Sequence, residues 1–184
     1  MKVVGIVGSP RRGGNTETLV ERVLAGAAAA GAETQMFYLN EMNIRGCQAC
    51  NHCKEHGCCR QDDDMASLYR ALHEAGGIVL GSPVYMSYVT AQTKLFLDRL
   101  FAFLGPDLSS TLPPGKKFAM VYSQGGGNDR EMIEGLARHV GRMLGMQVVG
   151  VTGGNGMNAP GAVKNNPALL EEAFRLGREL AGAC

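Results

Sequence analysis

Short apolar runs alternate with amphipathic stretches along the whole chain. Val3, Val4, Ile6 and Val7 make a run long enough for a strand covered on both faces. From Asn15, Leu19/Val20, Val23/Leu24 and Ala27/Ala28 recur at helical spacing, and Gly31 is a C-terminal stop. Residues 33–39 read as a second strand. Residues 40–61 then break all periodicity. Asp62-Asp63-Asp64 opens a second helix, where carboxylates suit the N-terminal dipole; Met65, Leu68, Tyr69 and Leu72 give its inner face. Residues 77–81 form the third strand, followed by a loop over 82–88. A third helix covers roughly 90–104 and is apolar around much of its girth, more than one buried stripe requires. Residues 117–122 and 147–151 are the fourth and fifth strands. Between them lies a helix capped by Asn128 or Asp129, with Met132, Ile133, Leu136, Val140 and Leu144 on its inner face. After a polar, glycine-rich loop over 153–165, Asn166-Pro167 opens the last helix with a cap and a proline at the first position. Five strands alternating with five helices, without repeat or linker, predict one α/β domain over residues 1–184: a doubly wound parallel sheet with helices on both faces. The expected order is 2-1-3-4-5, which puts a ligand at the switch between strands 1 and 3.

The loops after strands 1, 3 and 4 open on that carboxyl edge, and their composition is unusual. The first, Gly8-Ser9-Pro10-Arg11-Arg12-Gly13-Gly14-Asn15-Thr16, links a strand to a helix N-terminus, an arrangement that favours an anion. Gly8 and Gly13 have the separation of a nucleoside-triphosphate loop, but Gly14 and Asn15 stand where the lysine and hydroxyl residue would be. The dinucleotide fingerprint is also missing. A single terminal phosphate is what this loop suits. Ser82 to Tyr88 offers hydroxyls and two tyrosines beside Pro83; Ser123-Gln124-Gly125-Gly126-Gly127 offers backbone N–H groups with little bulk. A flat aromatic cofactor with a phosphate tail fits the three together, and flavin mononucleotide (FMN) is the candidate. Arg11 or Arg12 could meet a further phosphate or simply be solvated.

Composition narrows the class. The chain has 184 residues, 45% of them hydrophobic, enough for a sizeable core. Eighteen basic against 17 acidic residues leave no electrostatic footprint for nucleic acid. No run approaches bilayer length and no signal-peptide pattern opens the sequence, so a cytoplasmic protein without membrane attachment is expected. Five of the six cysteines fall between residues 47 and 59, which points to metal or redox chemistry rather than a disulfide framework.

Gly8-Ser9-Pro10-Arg11-x-x-Gly14-Asn15-Thr16, then Gly81-Ser82-Pro83-Val84-Tyr85 and Lys94-x3-Asp98-Arg99, resemble the NADPH-dependent FMN reductase group of flavodoxin-like proteins over residues 1 to about 150. The resemblance implies FMN at the switch point. Ser9, Pro10, Arg11, Gly14, Asn15 and Thr16 would surround the phosphate. Ser82, Pro83, Val84 and Tyr85 would flank the isoalloxazine, with Ser123, Gln124, Gly125 and Gly126 at its far edge. It further implies a nicotinamide donor, a small-molecule acceptor, and a homodimer or homotetramer packed through the third helix. No side chain stands out as a proton donor. A flavodoxin-like electron carrier without turnover of its own is the alternative, against which the near-neutral charge argues mildly.

The cysteines are spaced Cys47-x2-Cys50-x2-Cys53-x4-Cys58, with Cys59 adjacent. Three thiolates at this spacing on an irregular loop can converge on one cluster, and a fourth closes it. The pattern is similar to the compact motif of the iron-sulfur flavoproteins, which implies a 4Fe-4S cluster on Cys47, Cys50, Cys53 and Cys58 and ferredoxin as a possible partner. The adjacent Cys59 leaves the fourth ligand open. Unliganded or redox-active thiols, and zinc held by four thiolates, remain alternatives. Because the loop follows strand 2, it is expected on the same sheet edge as the flavin loops.

Overall fold

In a computed structural model of the chain, which describes residues 1–182, the apolar runs form one parallel sheet. Its strands are β1 (Lys2–Val7), β2 (Glu33–Tyr38), β3 (Gly77–Tyr85), β5 (Lys117–Ser123) and β6 (Gln147–Gly154), ordered β2-β1-β3-β5-β6. A two-residue β4 (Tyr88–Val89) pairs antiparallel with the end of β3. Apart from this hairpin, the order is the expected 2-1-3-4-5. Registers such as Val7 beside Gly81, and Gly81 beside Val121, bring the ends of the three central strands level.

Among the described residues there are six α-helices: α1 (Asn15–Ala29), α2 (His52–His56), α3 (Met65–Glu74), α4 (Ala91–Arg99), α5 (Arg130–Leu144) and α6 (Pro167–Leu180). A 3-10 turn over Leu100–Phe103 extends α4. The sheet divides the core in two, as right-handed crossovers require. On one face Val3, Val7, Val79 and Val121 pack on Leu19 and Val23 of α1 and Leu176 and Leu180 of α6. On the other, Val4, Ile6, Leu80 and Met120 pack on Leu68, Phe96 and Ile133 of α3, α4 and α5. At about 25 cal/mol per Å², burial on these two faces is the main stabilising contribution. The central strands are apolar throughout because both faces are covered.

Three local expectations shift. β3 runs four residues beyond Gly81, so the loop expected over 82–88 is a hairpin whose turn residues Met86 and Ser87 both have positive φ (50° and 58°). This is the backbone of a type I′ turn, which matches strand twist but lacks the usual Asn-Gly pair. α-Helical geometry in α4 ends at Arg99, five residues before the expected stop at Leu104. The three aspartates stand at the start of α3 as expected, with Asp63 accepting the Met65 N–H (3.2 Å), but two of them also serve other partners. Asp63 is turned inward onto Arg99, and Asp64 accepts the backbone N–H of Asn43.

Candidate active site and cysteine loop

The phosphate end is assembled around Gly8. Gly8 N–H donates to Gly81 O (2.7 Å), and Gly8 O accepts the Thr90 hydroxyl (2.7 Å). Thr90 also meets the Thr93 hydroxyl (2.9 Å), and Thr93 donates to Ser82 Oγ (3.1 Å). A Cβ on Gly8 would overlap Thr93 Oγ1, so only glycine lets this loop lie against α4. Ser82 is fully buried in the latch and accepts the Thr90 N–H. Its hydroxyl therefore fastens α4 to β3 and does not face a cofactor.

Ser9 Oγ accepts the Arg11 N–H (3.1 Å) and shapes the turn. Past it, the N–H groups of the first turn of α1 have no intrahelical acceptor, as at any helix N-terminus. Asn15 and Thr16 reach this point with their side chains already engaged. Asn15 Nδ2 donates to Met157 O (2.9 Å) and Ala159 O (2.8 Å), and its Oδ1 accepts the Val163 N–H (3.0 Å). Thr16 Oγ1 pairs with Ser123 Oγ (2.7 Å), tying α1 to the end of β5. What both can offer an anion is the backbone N–H. Arg11 is exposed and donates to Asn158 O (3.2 Å). Arg12 is held elsewhere: it lies 3.4 Å over the Tyr38 ring, pairs with Glu41 (3.0 Å) and approaches Glu17 (3.5 Å). Glu17 accepts the Gly13 N–H (2.5 Å) and the Tyr38 hydroxyl (3.0 Å). Burial and this carboxylate raise the Tyr38 phenol above its ordinary pKa despite Arg12.

The opposite wall is Gln124 to Gly127, backed by the polar, glycine-rich loop over 153–165. Gln124 N–H donates to Gly154 O, Met157 N–H to Gln124 O, and Gly156 N–H to Gly125 O. A Cβ on Gly125 would collide with Asn158, whereas Gly126 is open. Gln124 Nε2 donates to Asp129 (2.5 Å), but its buried Oε1 has no partner among the described residues. An unmet buried acceptor in a wall of little side-chain bulk fits a polar aromatic edge such as that of a flavin. Pro83, Val84 and Tyr85 stand at the end of β3 between the two walls, with Tyr85 and Tyr88 partly exposed and Met86 98% exposed at the hairpin tip.

The cysteine loop leaves the sheet edge after Leu39 and runs along α4 to its far end. Lys54 fastens it by donating to Phe101 O (2.7 Å) and Leu104 O (2.5 Å). Cys47, Cys50, Cys53 and Cys59 line one small cavity with Tyr69 and Arg99; Cys58 is exposed and does not. Among the described residues no three Cys, His, Asp or Glu side chains stand in metal-binding geometry. The expectation of a loop on the flavin edge holds for its start only. The phosphate loop is latched to the N-terminal cap of α4, and Cys59 meets the last residue of that helix. His52 and His56 stack on each other at 4.1 Å in α2.

Between this loop, α4 and α5 lies a groove of about 690 Å³ that reaches from Tyr88 to Leu144, with Leu97, Phe101, Val140 and Met143 on its apolar floor.

A parallel sheet of this order, with three donor-rich loops meeting over its switch point, defines a flavodoxin-like protein. Solved structures agree on the fold. A flavone reductase superposes with a TM-score of 0.76 at 18% identity, over 99% of this chain and 62% of its own. An NAD(P)H:quinone oxidoreductase from Methanothermobacter marburgensis superposes with a TM-score of 0.70 at 21% identity, over 98% and 96%. The sequence profile of NADPH-dependent FMN reductase matches residues 1–155, and the chain belongs to that family of FMN-dependent oxidoreductases. Its relatives include an iron-sulfur flavoprotein of Methanocaldococcus jannaschii, 38% identical over 98% of this chain and 96% of the relative. Another, an iron-sulfur flavoprotein of Archaeoglobus fulgidus, is 34% identical over 100% and 80%. No helix among the described residues is long and apolar enough to cross a membrane.

Proposed function

We propose that this chain binds FMN at the switch point, carries a 4Fe-4S cluster on the cysteine loop, and moves electrons from NAD(P)H or a ferredoxin-type donor to a small-molecule acceptor. The observation that carries the reading is the meeting of the three loops: the α1 N-terminus, which has no side-chain cap, is tied through Thr16 to Ser123 at the start of the glycine wall, where the buried Gln124 Oε1 has no partner among the described residues. When bound, FMN supplies hydride and single-electron chemistry; the protein supplies binding, orientation and exclusion of water. In this assignment Ser9, Pro10, Arg11 and Gly14 surround the phosphate, while Asn15 and Thr16 contribute backbone N–H groups. Pro83, Val84 and Tyr85 flank the ring, and Gln124, Gly125 and Gly126 close its edge. Ser82 and Ser123 brace these loops from behind.

Cys47, Cys50, Cys53 and Cys59 are assigned to the cluster. Cys59 replaces Cys58 as fourth ligand because it shares the cavity and the contact with Arg99. Arg99 lines that cavity and its buried Nε has no partner among the described residues, which suits an anionic cluster. The names of the two relatives support the same reading. Self-association through α4 is supported by Tyr85, Met86, Tyr88 and Leu95, exposed apolar residues on the hairpin and that helix.

The test is an absorption spectrum of protein purified without oxygen, with iron, sulfide and zinc assayed on the same sample. Flavin bands with about four irons per chain are expected. Flavin without iron would reduce the cysteines to thiol chemistry, and no flavin after adding FMN would sink the proposal.

A further inference from the structure

We infer that Arg99 is a positioning residue for the cysteine cluster, closing the cysteine loop at both ends and presenting its guanidinium to the Cys59 sulfur. The inference rests on the cluster reading above. Arg99 is 1% exposed, and burying an arginine is costly unless every donor is used. Its fork is mostly used. Nη1 and Nη2 bridge the fully buried carboxylate of Asp63 (2.5 and 3.1 Å). Nη1 also donates to Arg45 O (2.8 Å), two residues before Cys47, and Nη2 to Cys59 Sγ (3.4 Å). Asp63 takes the Arg45 N–H as well (3.0 Å), so one ion pair holds the entry and exit of the loop together. Tyr69, beneath the guanidinium, spends its hydroxyl on Arg99 O (2.9 Å).

A purely structural ion pair would be complete with Asp63. Two features exceed that: the N–H to Cys59, and a buried Nε without a partner among the described residues, on a side chain that lines the same cavity as Cys47, Cys50, Cys53 and Cys59. Four thiolates around iron and sulfide form an anion, more negative when reduced. A fixed cation and N–H donors beside its sulfurs stabilise the reduced form more and raise the reduction potential.

The experiment compares wild type, Arg99→Gln and Arg99→Lys as anaerobically purified holoproteins. The cluster's midpoint potential is read by spin resonance during reductive titration, with the flavin potential as internal reference. A shift of the cluster to more negative potential in Arg99→Gln, with the flavin potential unmoved, is expected. If that variant does not fold, Arg99→Lys keeps a charge opposite Asp63 but loses the planar fork and its N–H to Cys59, and a smaller shift in the same negative direction is expected. Loss of iron and thermal stability with unchanged potential in the clusters that remain is what a merely structural role gives, and it overturns the inference. Wild-type protein with flavin but no iron overturns the cluster reading and this inference together; iron in the wild type with an unmoved variant potential overturns this inference alone.

Discussion

The side chains that sequence alone would aim at a phosphate are largely spent on the protein itself. Asn15 is the clearest case. Its position after a glycine-rich loop fits a cap or a phosphate neighbour, and nothing local says otherwise. The three partners that consume its amide lie more than 140 positions away, at Met157, Ala159 and Val163. Ser82 is similar: its hydroxyl fastens β3 to Thr90 and Thr93. What was legible was the backbone role of the loop, because glycine spacing and a helix start are local features. What was not legible was the direction of each polar side chain, which long-range packing decides. Asn15→Ala strands buried donors and acceptors of the 157–163 stretch. A loss of about 2–4 kcal/mol is expected, read as a lower denaturant midpoint at unchanged slope. FMN should still rescue part of that loss by binding the folded state. A variant as stable as wild type would show that the 157–163 stretch does not depend on this amide.

Among the elements, strands and helices were legible from periodicity, and the departures have physical causes. The β3–β4 hairpin escaped notice because Met86 and Ser87 occupy turn positions that normally advertise themselves as Asn-Gly. Asp62-Asp63-Asp64 read as a helix start because carboxylates there are common; the partner that draws Asp63 inward sits 36 residues further on. Burial alone would raise the Asp63 pKa, but the Arg99 fork and the Arg45 and Met65 N–H groups outweigh it and hold the carboxyl below its ordinary value. A lowered folded pKa means the pair's contribution is complete above the unfolded value, about 4, and is lost as pH falls through the folded one. Asp63→Asn leaves a buried guanidinium without its counter-charge, a cost of about 3–5 kcal/mol at neutral pH. Thermal midpoints of the two proteins should therefore lie far apart at pH 7 and converge below pH 4. A gap that stays constant down to pH 3 would mean the Asp63 charge contributes nothing.

At the scale of the molecule, α4 separates the two candidate sites as much as it connects them. Its cap holds the phosphate loop through Thr90 and Thr93, and its last residue holds Cys59 through Arg99. Nine helical residues span ~13 Å, and Phe96 in the middle and Leu100 just past the end sit in the core. The fold and the edge on which the donor-rich loops open followed from strand order, whereas the path of the cysteine loop did not, because a segment without periodicity carries no information about the surface it follows. Of its anchors, Lys54 on the Phe101 and Leu104 carbonyls lies at a variable position between the cysteines, and Arg99 stands in the Lys94-x3-Asp98-Arg99 motif, which does not reveal its contact with Cys59. The arrangement makes the two sites separable by mutation. Cys59→Ser removes a sulfur from the shared cavity without touching the latch at Gly8, so iron should fall to background while FMN affinity stays within about twofold, under ~0.5 kcal/mol. Cys58→Ser alters an exposed thiol outside that cavity and should leave both iron and flavin at wild-type levels. Iron assays and flavin titration on the two variants decide the matter. Full iron in Cys59→Ser together with loss in Cys58→Ser would reverse the ligand assignment, and loss of flavin in either would mean that the cysteine loop supports the flavin edge despite standing at the other end of the helix.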